Sequence, residues 1–257
     1  MRKTAIVTVL AAVAAMDVMA IKGTISTETD SKSGDIKWQP RPKTYALAYK
    51  KGKTEVSAEF PLADVTKLDI AKPDGYDKAV EMVEKGQAAA AIPVLTKIVA
   101  DYRMLVWDKP AGRNLALAYL ASGQPQKALD SCKAIIAEDK DAAWSGDLAS
   151  AYWQALHKLG KTDELQKLLD KAATSGKRAS AAAALVMRGD MIVASGNDAP
   201  EALKTALRDG FLRVVLMYND AECTRERAEA MLKAAQCFDK IGQVARAEKL
   251  RAQAKAL

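Results

Sequence analysis

The feature that most constrains this chain is a set of glycines that recur at nearly equal intervals. They are Gly86, Gly123, Gly160, Gly196 and Gly242, and successive members lie 37, 37, 36 and 46 residues apart. Each is followed by one or two polar residues and then by an apolar stretch of helical period. Repetition at this length is typical of stacked helical units, which need their neighbours to bury an apolar stripe. We therefore expect each of these glycines to end one helix and open a turn.

The residues around these glycines form a second pattern. In the clearest unit, the small residue Ala116 is followed by Tyr119, Gly123 and Ala128, at steps of three, four and five residues. The same steps give two further sets, Ala79, Met82, Gly86 and Ala91 in the first unit and Ala235, Phe238, Gly242 and Ala247 in the last. The third and fourth units depart from the pattern, with Trp153 and Gly189 in the position of the small residue and Leu165 in place of the later alanine.

This combination of spacing and residue types resembles the tetratricopeptide repeat family over roughly residues 73–257. The resemblance implies a mostly α fold, a solenoid of about five helical hairpins, and a protein-binding concave face lined by the first helix of each hairpin. Residues 211–242 are also similar to periplasmic repeat proteins of cell-envelope maintenance. The departures predict irregular packing in the third and fourth units.

Residues 21–72 have a different period. Apolar and polar residues alternate from Ile21 to Ile70, which predicts four or five short strands in a small sheet or barrel. A polar turn is expected over residues 27–34 and a hairpin turn at Lys51-Gly52. Two interpretations are open, a cap on the first repeat or a glycan-binding module. The second would use an aromatic platform of Trp38, Tyr45, Tyr49 and Phe60.

The first twenty residues have the order of a signal peptide. A basic start at Arg2-Lys3 precedes an apolar stretch, residues 5–15, and small residues at Val18 and Ala20. No cysteine stands at the expected cleavage point, so a lipid anchor is not expected. We therefore predict a periplasmic or secreted protein. No apolar run in the sequence is long enough to span a membrane.

The composition offers little for catalysis or nucleic-acid binding. Although the formal net charge is +7, the charges are interspersed and aromatic residues make up only 5%, so no nucleic-acid partner is predicted. His157 is the single histidine, and the three cysteines lack metal-ligand spacing. Cys223 and Cys237 would lie far apart along one helix, so we expect no disulfide between them. We predict no catalytic residue, no metal and no cofactor.

The predicted site is a groove for a protein or peptide of the cell envelope. The first helices of the hairpins should present Arg113, Leu117, Leu120, Ser150, Gln154, His157, Asp190 and Gln236. One cation, amides and leucines suit an extended peptide or a partner helix. The leading hypothesis is therefore a non-catalytic adaptor, and the alternative is glycan or peptidoglycan binding through the strand module. The sequence leaves the oligomeric state open.

Overall fold

The computed structural model describes residues 20–52 and 54–257, in which five strands precede the helices. The strands are β1 (Ile21–Ser26), β2 (Ser31–Gln39), β3 (Thr44–Lys51), β4 (Thr54–Pro61) and β5 (Lys67–Ile70). The helices are α1 (Tyr76–Glu84), α2 (Ala88–Asp101), α3 (Asp108–Ala121), α4 (Pro125–Ile136), α5 (Asp147–Lys158), α6 (Thr162–Thr174), α7 (Arg178–Ser195), α8 (Pro200–Ala206), α9 (Leu212–Met217), α10 (Thr224–Lys240) and α11 (Val244–Lys255). Within these ranges, no helix has both the length and the hydropathy needed to cross a membrane. The predicted signal peptide, residues 1–20, lies outside the described residues except for Ala20.

The chain forms two compact units. The first contains the described residues up to Gly123 together with Lys133–Asp139, and the second contains Gln124–Cys132 and Lys140–Leu257. The change from strand to helix falls between Ile70 and Tyr76, as the period of the sequence predicts. The division of the chain at residues 72 and 73 into two domains stays a prediction, since the first unit includes the sheet and several helices.

The strands form one open antiparallel sheet in the order β4-β3-β2-β1-β5, and the sheet does not close into a barrel. The predicted turn over residues 27–34 was too long, because β2 already begins at Ser31. Side chains at the ends of β1 and β2 account for the difference. The hydroxyl of Ser26 bonds that of Ser31 at 3.1 Å, and the Thr27 hydroxyl closes a tight turn by bonding the backbone of Asp30.

The apolar face of the sheet contains the aromatic side chains. Trp38, Tyr45 and Phe60 are all buried in a cluster with the aliphatic residues of β1 to β5. Alternation along each strand places them on this face, so the pattern that predicts strands also predicts their burial. The proposed aromatic platform for glycans is therefore wrong for these three side chains, and Tyr49 is half-buried beside the same cluster.

A short loop between α2 and α3 completes the core of the sheet. Leu105 is fully buried in the same cluster as the strand residues. The Tyr45 hydroxyl donates to the Met104 carbonyl at 3.0 Å, and the Trp107 indole N–H donates to the Ile70 carbonyl at 3.0 Å. Asp108 holds the loop by accepting the backbone N–H groups of Met104 and Lys109, both at 2.9 Å. The sheet thus packs on the loop that joins two helices of its own unit, which favours the interpretation of the sheet as a cap.

Burial makes the stability of this unit sensitive to alkaline pH. Burial, helped by the charge of Asp108, raises the pKa of Tyr45 from its usual 10 to about 12. A group whose pKa is higher in the folded state contributes stability below its unfolded pKa and loses it as pH rises through the folded value. Between pH 10 and 12, the free energy of unfolding of the wild type should fall by about 3 kcal/mol relative to Tyr45→Phe. Below pH 10 the free energy of unfolding of Tyr45→Phe should be about 1 kcal/mol lower than that of the wild type, because the variant lacks the hydrogen bond to the Met104 carbonyl.

Denaturant unfolding of both proteins across this pH range measures the difference. The order of stability should reverse at high pH. A constant difference between wild type and variant would show that the Tyr45 hydroxyl titrates as it does in the unfolded chain.

The helices follow one another as pairs joined by short turns, and the described residues contain five such pairs. The first helices are α1, α3, α5, α7 and α10, and the second helices are α2, α4, α6, the α8–α9 segment and α11. Ala79, Ala116 and Ala235, the predicted small residues, are completely buried. These hairpins have the tetratricopeptide-like character that the sequence predicts.

Four of the five predicted turn glycines have positive φ, between 66° and 77°, and Gly196 does not. At this turn Asn197 and Asp198 take the left-handed conformation, with φ of 46° and 61°. Gly196 has another role, since a Cβ there would lie 2.1 Å from the Cβ of Ala202. Gly196 ends α7 and opens the turn as predicted, but it does so without a positive φ, and its missing side chain lets the end of α7 approach α8.

The irregular fourth pair is explained by a close crossing of two glycines. A one-turn π-helix, Leu207–Phe211, joins α8 to α9, and this added segment lengthens the second helix of the pair. A Cβ on Gly210 would lie 2.8 Å from Gly189 Cα, and a Cβ on Gly189 would lie 2.5 Å from the buried Phe211 ring. Gly189 therefore replaces the usual alanine because Phe211 occupies the space of its missing side chain.

The three cysteines are free and buried, and α10 spans the interval between Cys223 and Cys237 as expected. Cys132 packs as a small apolar residue at 0% exposure. Burial raises the pKa of its thiol to about 12, so the thiol stays protonated and unreactive at neutral pH.

Candidate functional site

Three first helices of the second unit, α5, α7 and α10, line a shallow groove. Ser150 and Gln154 come from α5 and Asp190 from α7, all three as predicted from the sequence. The apolar side chains of Trp153, Val186 and Met187 and the charged side chains of Arg225, Glu226 and Glu229 complete the lining. The groove therefore combines a buried apolar floor with a charged and amide-bearing surface.

Trp153 fixes the floor of this groove. Its side chain is completely buried, and its indole N–H donates to the Ala143 carbonyl at 2.9 Å. A large buried side chain thus takes the position of the usual alanine, so the departure of the third unit from the repeat pattern has a direct structural role. Along α5, Ser150 lies one turn before Trp153 and Gln154 directly follows it, and both are half-buried.

An arginine joins α5 to α10 at one end of the groove. Arg225 forms an ion pair with Asp147 on α5, and its Nε and Nη2 atoms lie 2.9 and 2.5 Å from the Glu226 Oε1 atom. Burial opposes the charge on Arg225, but Glu226 and Asp147 outweigh it and raise its pKa. The Glu226 side chain is only 4% exposed, so it depends on this arginine for charge compensation.

A lysine joins α7 to α10 further along. Lys233 Nζ lies 2.8 and 2.7 Å from the two carboxylate oxygens of Asp190, and 3.7 Å from Glu229. Burial raises the pKa of Asp190, while Lys233 and His157 act against this shift. Asp190 is thus already occupied by a cation of its own chain. His157 itself lies half-buried on α5 and does not line the groove.

The remaining predicted residues are not part of this groove. Gln236 is exposed on α10, one turn beyond Lys233, and does not line it. Arg113, Leu117 and Leu120 are half-buried along α3, in the first compact unit. Among the described residues, the Arg113 Nε atom is buried without a hydrogen-bond partner. The idea that all eight residues form one surface stays a prediction.

Sequence reasoning missed the ion pairs of the groove. Asp147 lies one turn before Ser150, and Glu229 and Lys233 lie two and one turns before Gln236, so extending the predicted helix faces would have found them. Arg225 and Glu226 carry no comparable signal, since their partners depend on how α10 packs against α5.

The groove is too shallow to enclose a ligand. Space that a water molecule can enter amounts to about 10 Å³, which is about one water. The Ser150 hydroxyl and the Gln154 amide make no hydrogen bond to another described residue. A binding partner would therefore lie across this surface and use these polar groups, rather than insert a side chain deeply between the helices.

One cluster in the described part of the chain has the residue types of a metal site. Potential ligand atoms of Asp220, Glu222 and Cys223 lie within 4.8 Å of one another. Asp220 already forms an ion pair with Arg178 at 2.5 Å, and burial together with Glu222 and Asp220 raises the pKa of the Cys223 thiol. A protonated thiol is a poor ligand, so this arrangement does not favour a metal ion.

Comparisons with known proteins give structural similarity alone. No model of a protein family matches the chain, and no curated protein sequence matches it. One similar solved structure is that of a Podosopora anserina putative kinesin light chain with nearly identical TPR-like repeats. Its sequence is 19% identical, its TM-score is 0.39, and the match covers 70% of this chain and 91% of that one. A structure of MamA from AMB-1 is 17% identical, with a TM-score of 0.35 over 71% of this chain and 96% of that one.

Proposed function

We propose that this protein is an exported, non-catalytic adaptor that binds another protein of the cell envelope through the first helices of its hairpins. One observation carries the proposal: α5, α7 and α10 present half-buried polar groups side by side, and those of Ser150 and Gln154 have no partner in the described chain. Polar groups held on rigid helices are suited to bind the backbone and side chains of a peptide. The buried donor of Arg113 on α3 supports the same role.

Export is supported by the basic, apolar and small-residue order of residues 1–20. The ion pairs of the groove give the surface a fixed shape. Because Arg225 and Lys233 are neutralised by carboxylates of their own unit, they keep the helices in register and leave the amide and hydroxyl groups to recognise the partner. The glycan-binding alternative receives no such support, since its aromatic side chains lie in the core of the sheet.

The proposal is tested with the mature full-length protein and envelope extract. Changing Arg113→Ala and Gln154→Ala together should abolish recovery of a specific partner that the wild type retains. Lys167→Ala, an exposed position on the second helix α6, is the matched control and should leave recovery unchanged. Recovery of no partner by the wild type, or equal recovery by both variants, would contradict the proposed function.

A further inference from the structure

A second, larger groove of the second unit lies mainly on second helices. It is formed by the α8–α9 segment, the end of α10 and the start of α11, and its volume is about 440 Å³. Volumes of this order are typical of binding sites. Its apolar lining consists of Leu207, Leu212, Leu216, Phe238 and Ile241.

The polar lining of this groove is basic. Lys204, Arg208, Arg213 and Arg246 surround it, and none of the described residues that line it is an aspartate or glutamate. Two of the four are compensated nearby, since Lys204 pairs with Glu201 and Arg208 with Asp209, each at 2.7 Å. Arg213 and Arg246 form no ion pair in the described part of the chain. The groove thus has an excess of positive charge above an apolar floor.

Apolar exposure continues beyond one end of the groove. Leu216, which lines it, is 77% exposed, and the next residue, Met217, is 57% exposed. Adjacent exposed apolar side chains beside an apolar groove mark a binding surface more often than solvated surface. Arg246 is held in place over this region, with its guanidinium 5.6 Å from the Phe238 ring and bonded to the Gln243 side chain at 2.8 Å.

The wall of the groove is set by rigid packing. Leu207 and Arg208 belong to the π-helical turn, whose opposite side is locked by the contact of Gly210 with Gly189. Single π-helical turns occur often at functional sites because they change the direction in which side chains project. Phe211, completely buried behind this wall, keeps the turn from relaxing.

We propose that this groove binds an amphipathic helix of a partner protein that has acidic residues on both sides of its apolar stripe. Leucine-type side chains would occupy the apolar floor, and the flanking carboxylates would pair with Arg213 and Arg246. A flat anionic membrane fits less well, because the apolar floor is recessed between two helical elements. This surface has no lining residue in common with the polar groove of α5, α7 and α10, so the inference goes beyond the proposed function.

A pair of synthetic peptides tests the inference on the full chain. The probe is a fluorescent helix of about 14 residues, or four turns, with leucines at i, i+4 and i+7 and glutamates beside them. The comparison peptide has lysine in place of every glutamate. We expect the acidic peptide to bind at least about tenfold more tightly, with an affinity that falls as salt is raised.

Variants locate the binding site. Arg213→Glu combined with Arg246→Glu should weaken binding of the acidic peptide by about tenfold or more, and Leu216→Asp should weaken it as well. Both arginines are exposed, so the unfolding midpoint should stay near that of the wild type. Lys249→Glu, an exposed position on α11 outside the groove, is the matched charge control and should have little effect. Gln154→Ala should also leave this binding unchanged, which separates the test from that of the adaptor function.

Several outcomes would overturn the inference. Equal binding of the two peptides, or binding unaffected by the paired arginine changes, would remove its basis. Binding to phosphatidylglycerol vesicles without binding to the acidic peptide would assign the groove to a membrane surface. Self-association abolished by Leu216→Asp, again without peptide binding, would assign it to a second copy of the chain.

Discussion

Replacing Arg225 with methionine should lower the free energy of unfolding of the second unit by about 3 kcal/mol. The change leaves Glu226, which is almost fully buried, without its compensating charge. Removing one partner of a buried ion pair costs about 3–5 kcal/mol, and the partial exposure of Arg225 places the expected value at the lower end. Denaturant unfolding followed by circular dichroism measures the effect.

A second substitution identifies the cause. Glu226→Gln in the Arg225→Met background removes the uncompensated charge and should recover much of the loss. Arg251→Met breaks the ion pair with Asp239, whose side chain is 36% exposed and remains hydrated without the arginine, and should cost less than about 1 kcal/mol. Equal losses for Arg225→Met and Arg251→Met would mean that Glu226 does not depend on Arg225.

Replacing Gly189 with alanine should cost the same unit about 2–3 kcal/mol. The new methyl group would lie 2.5 Å from the Phe211 ring, which is fully buried. Because this contact sits where α7 crosses the π-helical turn, relief of the clash would have to separate two packed elements. The unfolding midpoint in denaturant gives the measurement.

The matched control makes room for the methyl group. In the Phe211→Leu background, Gly189→Ala should cost much less than in the wild type, so the two changes should not be additive. Ala183→Ser, at a half-buried position on α7, should change stability little. Additive losses for Gly189→Ala and Phe211→Leu would show that the alanine acts through the helix backbone and not through the ring.

The period of the sequence was sufficient to predict the five helical pairs and the strands. It succeeded because small residues such as Ala79 and Ala235 are required where two helices pack closely. Turn glycines such as Gly86 are favoured where the backbone has a positive φ. At Gly196 the period gave the right helix end but the wrong backbone conformation, because this glycine serves a contact with Ala202 on the next helix. A contact of this kind depends on packing between elements, which a local pattern does not contain.

In the candidate site too, the sequence predicted what depends on local spacing and missed what depends on packing between helices. Ser150, Gln154 and Asp190 line one groove because each is on the exposed side of a first helix, which helical spacing predicts. The pairing of Arg225 with Asp147 joins residues 78 positions apart and depends on the register between α5 and α10. The basic groove beside Leu216 was missed for a related reason, since the π-helical turn that shapes it interrupts the regular period.

Site-directed photocrosslinking most directly tests the central claim that the first helices bind a partner protein. A photoreactive benzoylphenylalanine is placed at position 154 on α5 or at the exposed position 167 on α6, and the full-length protein is irradiated in intact cells. The adaptor account predicts one discrete crosslinked protein from position 154 and none from position 167. Identical products from both positions, or no product from position 154, would contradict it.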